Sequence, residues 1–238
     1  MLFFKSFNIF FFIFYITMQS FYKNNIYNIL MCNRTKRIQA TRKKYTRTRK
    51  IESHGKQLYT NNDVVLIGSS IISKWKLDSL FGFKNIKNNG IPGLLTKKLF
   101  NTRIDFSNPK YIIFYCGGND LRNNISPSII INNINKFLTF LMTQFPHTQI
   151  VILSILMSEN IVNLKKIKKK INIVNNWYSD FSKNNSNHFI YINLNYTLFD
   201  TLDFYNPDGI HLNKNGYDEI KNSIESNMTR HSLLLSNS

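Results

Sequence analysis

"YIIFYCGGNDLRNN", Tyr111 to Asn124, decides the fold. Its first five residues, Tyr111 to Tyr115, are all apolar or aromatic, the pattern of a strand buried on both faces. The run then stops on Gly117-Gly118-Asn119-Asp120. A strand covered on both sides belongs to a parallel sheet under helices. In such sheets ligands sit beyond the carboxyl ends of the strands, where small polar residues find a use.

The same punctuation recurs on both sides of this stretch. "DVVLIG", Asp63 to Gly68, reads as a β-branched strand ending on glycine, and "SSIISKWKLDSLF" after it has the apolar spacing of a helix. "FKNIKNNGIPG", Phe83 to Gly93, predicts a short strand running into a turn, and Leu94 to Phe106 has helical spacing. Ser126 to Phe145 predicts a long helix, with Pro127 in its first turn and Ser126 as the cap. Thr148 to Leu156 and His188 to Asn195 read as strands, Asn160 to Lys183 and Lys214 to Met228 as helices. About five strand–helix repeats predict an α/β fold, a parallel sheet with helices on both faces. Pro and Gly are too sparse within residues 61–238 for a linker, so this stretch is assigned one domain.

Residues 1–60 differ in composition. They carry 12 Lys/Arg against one acidic residue, a net of +11, whereas residues 61–238 carry 19 against 12, a net of +7. The first 18 residues are strongly apolar, with an unbroken run from Ile9 to Met18. That run suits the apolar region of a signal peptide (about 7–15 residues) better than a spanning helix, which needs about 20. Residues 1–20 are therefore expected to be a signal peptide or signal anchor. That places the protein in the secretory pathway: secreted, membrane-anchored or routed onward to an organelle. Residues 21–60 read as a basic, disordered leader or linker able to contact an anionic membrane. No aromatic-interleaved basic patch, helix-turn-helix or RRM signature accompanies the charge, so no nucleic acid is expected as partner. Two cysteines, Cys32 and Cys116, are too few for a disulfide framework, and Cys116 reads as a small buried hydrophobe.

Small and polar residues crowd the ends of the strands and the last turn: Gly68-Ser69-Ser70, "NNGIPG" (Asn88 to Gly93), "GGND" (Gly117 to Asp120) and "NPDGIHLNKNGY" (Asn206 to Tyr217). Together, "VVLIGSSII", "NNGIPG", "GGND" and "DGIHLNKNGY" resemble the four motif blocks of the SGNH (GDSL-type) hydrolase family, in that family's order and spacing. The resemblance covers roughly residues 61–226. It implies a flavodoxin-like α/β/α sandwich around five parallel strands. It also implies serine-dependent hydrolysis of carboxylic esters through an acyl-enzyme, with no cofactor or metal. The substrate would be a small-acyl, lipid or glycan ester.

On this resemblance Ser70 takes the nucleophile's place. A serine hydroxyl needs an adjacent base, and His211 takes that position, imidazole being suited to accept and return a proton near neutrality. Asp208, three residues earlier, matches the residue that orients the imidazole. The backbone N–H of Ser70, the backbone N–H of Gly93 and the side-chain amide of Asn119 match the oxyanion-hole donors. Blander roles stand beside these. Ser70 could cap the first helix, Gly93 could serve only a turn, Asp120 could cap the segment after it, and Asp208-Gly209 has turn composition. His54, His147, His188 and His231 carry no motif, Trp75 and Trp177 read as core, and Lys165 to Lys170 as a solvated helix face.

Two departures from the family pattern stand out. Ser69 occupies the place of the usual Asp in Gly-Asp-Ser, and Pro92 precedes Gly93 where some relatives carry a second glycine. Loops at 104–109 and 154–160 are short, which predicts an open cleft favouring small acyl groups. Two rival functions remain: a catalytically inactive SGNH-fold binding module, and a basic membrane-associated protein whose leader is the functional part.

Overall fold

Val64–Gly68 forms the first strand, β1, with every residue buried, and the short helix α1 comes next at Ser70–Ser73. Then come β2 (Ile86–Gly90), a 3-10 turn at Thr96–Asn101, β3 (Tyr111–Tyr115), α2 (Gly118–Arg122) and α3 (Pro127–Gln144). After them are β4 (Gln149–Leu153), α4 (Lys165–Asn184), β5 (Phe189–Ile192), α5 (Asn195–Leu198), a 3-10 turn at Leu202–Phe204 and α6 (Lys214–Ser236). This computed structural model describes residues 62–157, 165–198 and 202–236. The expected signal or anchor, the basic leader with Cys32 and His54, and residues 158–160 of the 154–160 loop lie outside the described residues.

All five strands run parallel in the order β2–β1–β3–β4–β5. The chain adds β2 on one side of β1 and β3, β4 and β5 on the other. The connections leaving β1 and β3 therefore diverge, and a crevice opens between them at the carboxyl edge. Alternate strand residues build two separate cores. Val65, Ile67, Ile112, Phe114, Ile150 and Ile152 face α3 and α4, meeting Ile134, Phe137, Val174 and Tyr178. Val64, Leu66, Ile113, Tyr115, Val151 and Leu153 face the other way, meeting Ile71, Ile72 and Trp75 and, on α6, Ile220 and Ile224. The three-layer α/β/α sandwich results from β1, β3, β4 and β5 being apolar on both faces. Burying a single large side chain such as Phe114 contributes roughly 1.5–3 kcal/mol.

Three local expectations change. The helix expected across "SSIISKWKLDSLF" is only four residues long. Asn88, on the edge strand β2, donates its side-chain amide to the carbonyls of Ile72 and Trp75 at 2.8 and 3.0 Å, so those carbonyls are satisfied without another helical turn. The segment after Leu94 closes as a 3-10 turn, because Thr96 at its start is held by the Asp120 carboxylate, outside the turn. Ser126 sits at the expected N-cap of α3 but makes no capping hydrogen bond. Its hydroxyl lies 3.0 Å from that of Ser128 instead. Cys116 is buried and free, and burial pushes its thiol far above the usual range, as fits an inert packing residue. Trp75 is core, stacked on Tyr217, while Trp177 is half-buried against Phe181.

Candidate active site

The crevice beyond β1 and β3 collects the polar residues of the motif blocks. Ser69 comes directly after β1, with its N–H on the carbonyl of Tyr115 at 3.1 Å, and α1 starts at Ser70. Ser69, not Ser70, is therefore the N-cap, and its side chain makes no capping bond. Ser70 is the first helical residue, so its N–H has no partner within the helix and its hydroxyl is free of capping duty. That hydroxyl lies 3.1 Å from Nε2 of His211.

His211 rides on a tightly braced loop. The Asn206–Gly209 turn closes through the Gly209 N–H on the Asn206 carbonyl at 2.8 Å, with Gly209 at φ 61°. Asp208 organises the loop with both oxygens. Its Oδ1 accepts the N–H groups of Ile210 and His211 at 2.9 Å each, and its Oδ2 sits 2.6 Å from Nδ1 of the His211 ring. These bonds hold the Asp208 carboxyl far below the usual carboxylate range, the His211 side-chain contact contributing most. An ionised carboxylate can only accept, so Nδ1 carries the ring proton and Nε2 is left to accept from Ser70. The loop is tied to the Ser70 helix from behind, where Tyr217 of α6 donates its hydroxyl to the Ile71 carbonyl at 2.9 Å. Sequence positions 141 apart are thus placed in register by one tyrosine and one aspartate.

The two remaining expected residues sit on segments that are joined to each other. Ile91 to Leu94 forms a turn, with the Leu94 N–H on the Ile91 carbonyl at 3.1 Å. Pro92 and Gly93 are its central residues and Gly93 has φ 70°, the positive value that a type II turn requires at its third position. The turn is hooked onto the end of β1 by Ile91 N–H on the Gly68 carbonyl at 2.8 Å. Beyond β3, Gly117 takes φ 108° to start α2, which carries Asn119 as its second residue. The Nδ2 of Asn119 donates to the Leu94 carbonyl at 3.1 Å, and its Oδ1 accepts from Arg122 at 2.6 Å.

A small cavity of about 20 Å³ opens where these elements meet. Ser69, Ser70, Asn119 and Arg122 give it a polar side, and Ile71, Ile155, Leu156 and Ile210 an apolar one. Gly93 does not line it. Of the two loops expected to shape the cleft, Ile155 and Leu156 contribute and none of residues 104–109 does.

Asp120 is the residue whose role sequence reasoning missed. It is fully buried, and its carboxylate is turned onto the loop after β2. Its carboxylate receives the Thr96 N–H at 3.0 and 3.1 Å and the Thr96 hydroxyl at 2.6 Å, while Asn133 of α3 donates to that hydroxyl oxygen at 3.2 Å. Together with the Asn119–Leu94 bond, this clamps the loop after β2 to the loop after β3. Removing the carboxylate strands two buried Thr96 donors, each costing about 1–3 kcal/mol. Asp120→Ala should therefore lower stability by about 3 kcal/mol in urea unfolding. Desolvation is the largest influence on this carboxyl and raises its pKa, against the lowering effect of the Thr96 bonds. A carboxyl raised in the folded state contributes most below its unfolded value and least above its folded one. The stability of the wild type relative to Asp120→Asn should therefore rise as pH falls through the raised value; a flat difference would show the carboxyl unshifted.

A family profile described as the GDSL-like lipase/acylhydrolase family matches residues 72–219. This is more than half of the chain; it begins just after Ser70 and includes Gly93, Asn119, Asp208 and His211. No curated protein matches the sequence. Among solved structures, the chain is similar to a member of the lipolytic protein G-D-S-L family from Veillonella parvula, at 16% identity and TM-score 0.56 over 70% of this chain and 98% of that one. It is similar to a carbohydrate esterase family 3 protein from Talaromyces cellulolyticus, at 16% identity and TM-score 0.55 over 74% and 99%. It is also similar to a lipase/acylhydrolase from Enterococcus faecalis, at 15% identity and TM-score 0.53 over 71% and 96%.

Proposed function

The chain belongs to the GDSL-like lipase/acylhydrolase family, and from that premise we propose that it hydrolyses carboxylic esters through an acyl-enzyme on Ser70. The observation that carries this reading is the continuous path from Asp208 Oδ2 through the His211 ring to Ser70 Oγ, with steps of 2.6 and 3.1 Å. Ser70 Oγ attacks the acyl carbon as His211 Nε2 takes its proton. The tetrahedral intermediate collapses, the ester C–O bond breaks, and His211 returns the proton to the departing alcohol. Water then repeats the sequence on the acyl-enzyme, releasing the acid and restoring the serine hydroxyl.

Asp208 stabilises the imidazolium formed midway and keeps the proton on Nδ1. The oxyanion would be met by the N–H of Ser70, which has no helical partner, by the N–H of Gly93, which among the described residues donates to no backbone carbonyl, and by Asn119 Nδ2. That amide spends one proton on Leu94 and keeps a second. The small cavity with its few aliphatic side chains favours short acyl groups.

Two measurements test the reading. A fluorophosphonate should label the wild type covalently and leave Ser70→Ala unlabelled. Among p-nitrophenyl esters of graded length, kcat/KM should be highest for acetate to butyrate. Efficient release of long acyl chains with none of acetate would overturn the small-acyl preference, and an unlabelled wild type would remove the nucleophile assignment.

A further inference from the structure

A side-chain amide has two ends of nearly equal shape and opposite chemistry, and only the N–H end can stabilise an oxyanion. Something must decide which end of Asn119 faces the cavity. Resting on the esterase reading, we propose that Arg122 is the positioning residue that makes this choice and strengthens the donor. Its Nη2 donates to Asn119 Oδ1 at 2.6 Å, while Asn119 Nδ2 donates to the Leu94 carbonyl at 3.1 Å. A flipped amide would set its NH₂ against the guanidinium and its oxygen against the Leu94 carbonyl. Donor would meet donor and acceptor would meet acceptor, so both bonds would be lost.

The contact does more than sort orientations. Hydrogen bonds from a charged donor are short and strong. A cation on the amide oxygen draws electron density from the nitrogen, which makes the remaining N–H a better donor to developing negative charge. Arg122 is available for this, since among the described residues the ion pairs take in other cations and none involves it. It stands three residues after Asn119, on the same turn, and lines the same cavity. It is also exposed, so replacing it leaves both cores intact.

The test is a double-variant cycle on a neutral ester, p-nitrophenyl acetate, read as kcat and KM separately. Arg122→Met should lower kcat about tenfold with KM within about twofold, the pattern of an interaction that matters in the transition state. Arg122→Lys, which keeps the charge, should recover part of the loss. Asn119→Ala should itself lower kcat about 10²–10³-fold. In that background Arg122→Met should cost less than about twofold more, because the residue through which Arg122 acts is gone. A full tenfold loss persisting in the Asn119→Ala background, or a loss confined to KM, would overturn the proposal and mark Arg122 as a direct contact to substrate. Activity abolished by Ser70→Ala but unaltered by Arg122→Met would overturn it while leaving the esterase reading in place. A wild type that neither hydrolyses esters nor takes the fluorophosphonate would defeat the esterase reading and this inference together.

Discussion

Ser70→Ala and His211→Ala should each lower kcat on p-nitrophenyl acetate by at least about 10³-fold, and the double variant should lose little more than either alone. The expectation of non-additivity comes from the geometry. In the proposed mechanism His211 Nε2 acts only through the proton it exchanges with Ser70, 3.1 Å away, and a serine hydroxyl without a base is a poor nucleophile. Removing either leaves the other with nothing to do. Residual turnover should come from the proposed oxyanion donors, which no change at these two positions removes. Asp208→Asn should be damaging for another reason. The carboxylate is ionised far below neutral pH and accepts from Nδ1; a neutral amide can present a donor there and reverse the tautomer. Independent, multiplying losses at positions 70 and 211 would show that the two side chains do not act as one unit.

Much of this arrangement is legible in the sequence because strand ends in a doubly wound sheet are marked by their punctuation. The run Tyr111 to Tyr115 reads as a strand covered on both faces, and the Gly117-Gly118-Asn119-Asp120 that ends it lands at the crevice. Asp208 and His211 were readable together because three residues suffice for one loop to carry both. The parts that stayed hidden depend on partners distant in sequence. Asp120 looks like an ordinary strand-end residue until Thr96, 24 positions earlier, is folded against it. Helix α1 stops after four residues because Asn88, on β2, takes the carbonyls of Ile72 and Trp75, and helical periodicity in "SSIISKWKLDSLF" carries no record of that. Arg122 in an Asn-rich, Lys-rich chain is one more cation by composition. Its contact with Asn119 depends on a short turn at α2 that periodicity cannot resolve in five residues.

Among the described glycines, Gly68→Ala should be the most destabilising change, by about 3 kcal/mol or more. A Cβ at this position would stand 2.1 Å from the Tyr115 carbonyl oxygen and 2.8 Å from a side-chain carbon of Ile72. The first of these is backbone of the neighbouring central strand, which cannot rotate away. Tyr115 is the register partner of Gly68 and also holds the Ser69 N–H, so relief would require β1 and β3 to part beside Ser70. Gly90→Ala should come close behind, since its Cβ would meet the backbone N and Cα of Ser73 at 2.4 and 2.6 Å and drive α1 off the edge strand. Gly82 supplies the contrast. Its φ of 77° disfavours alanine, yet nothing lies within 4 Å of a Cβ there, so Gly82→Ala should cost only the left-handed penalty of about 1–2 kcal/mol. Urea midpoints of the three variants should therefore fall in the order Gly82→Ala, Gly90→Ala, Gly68→Ala, from most to least stable. The two colliding variants should also lose kcat in their folded fraction, because the elements they displace carry Ser70, the proposed nucleophile. If Gly68→Ala keeps wild-type stability and turnover, the close approach of β1 to β3 at the site is wrong, and with it the placement of Ser70.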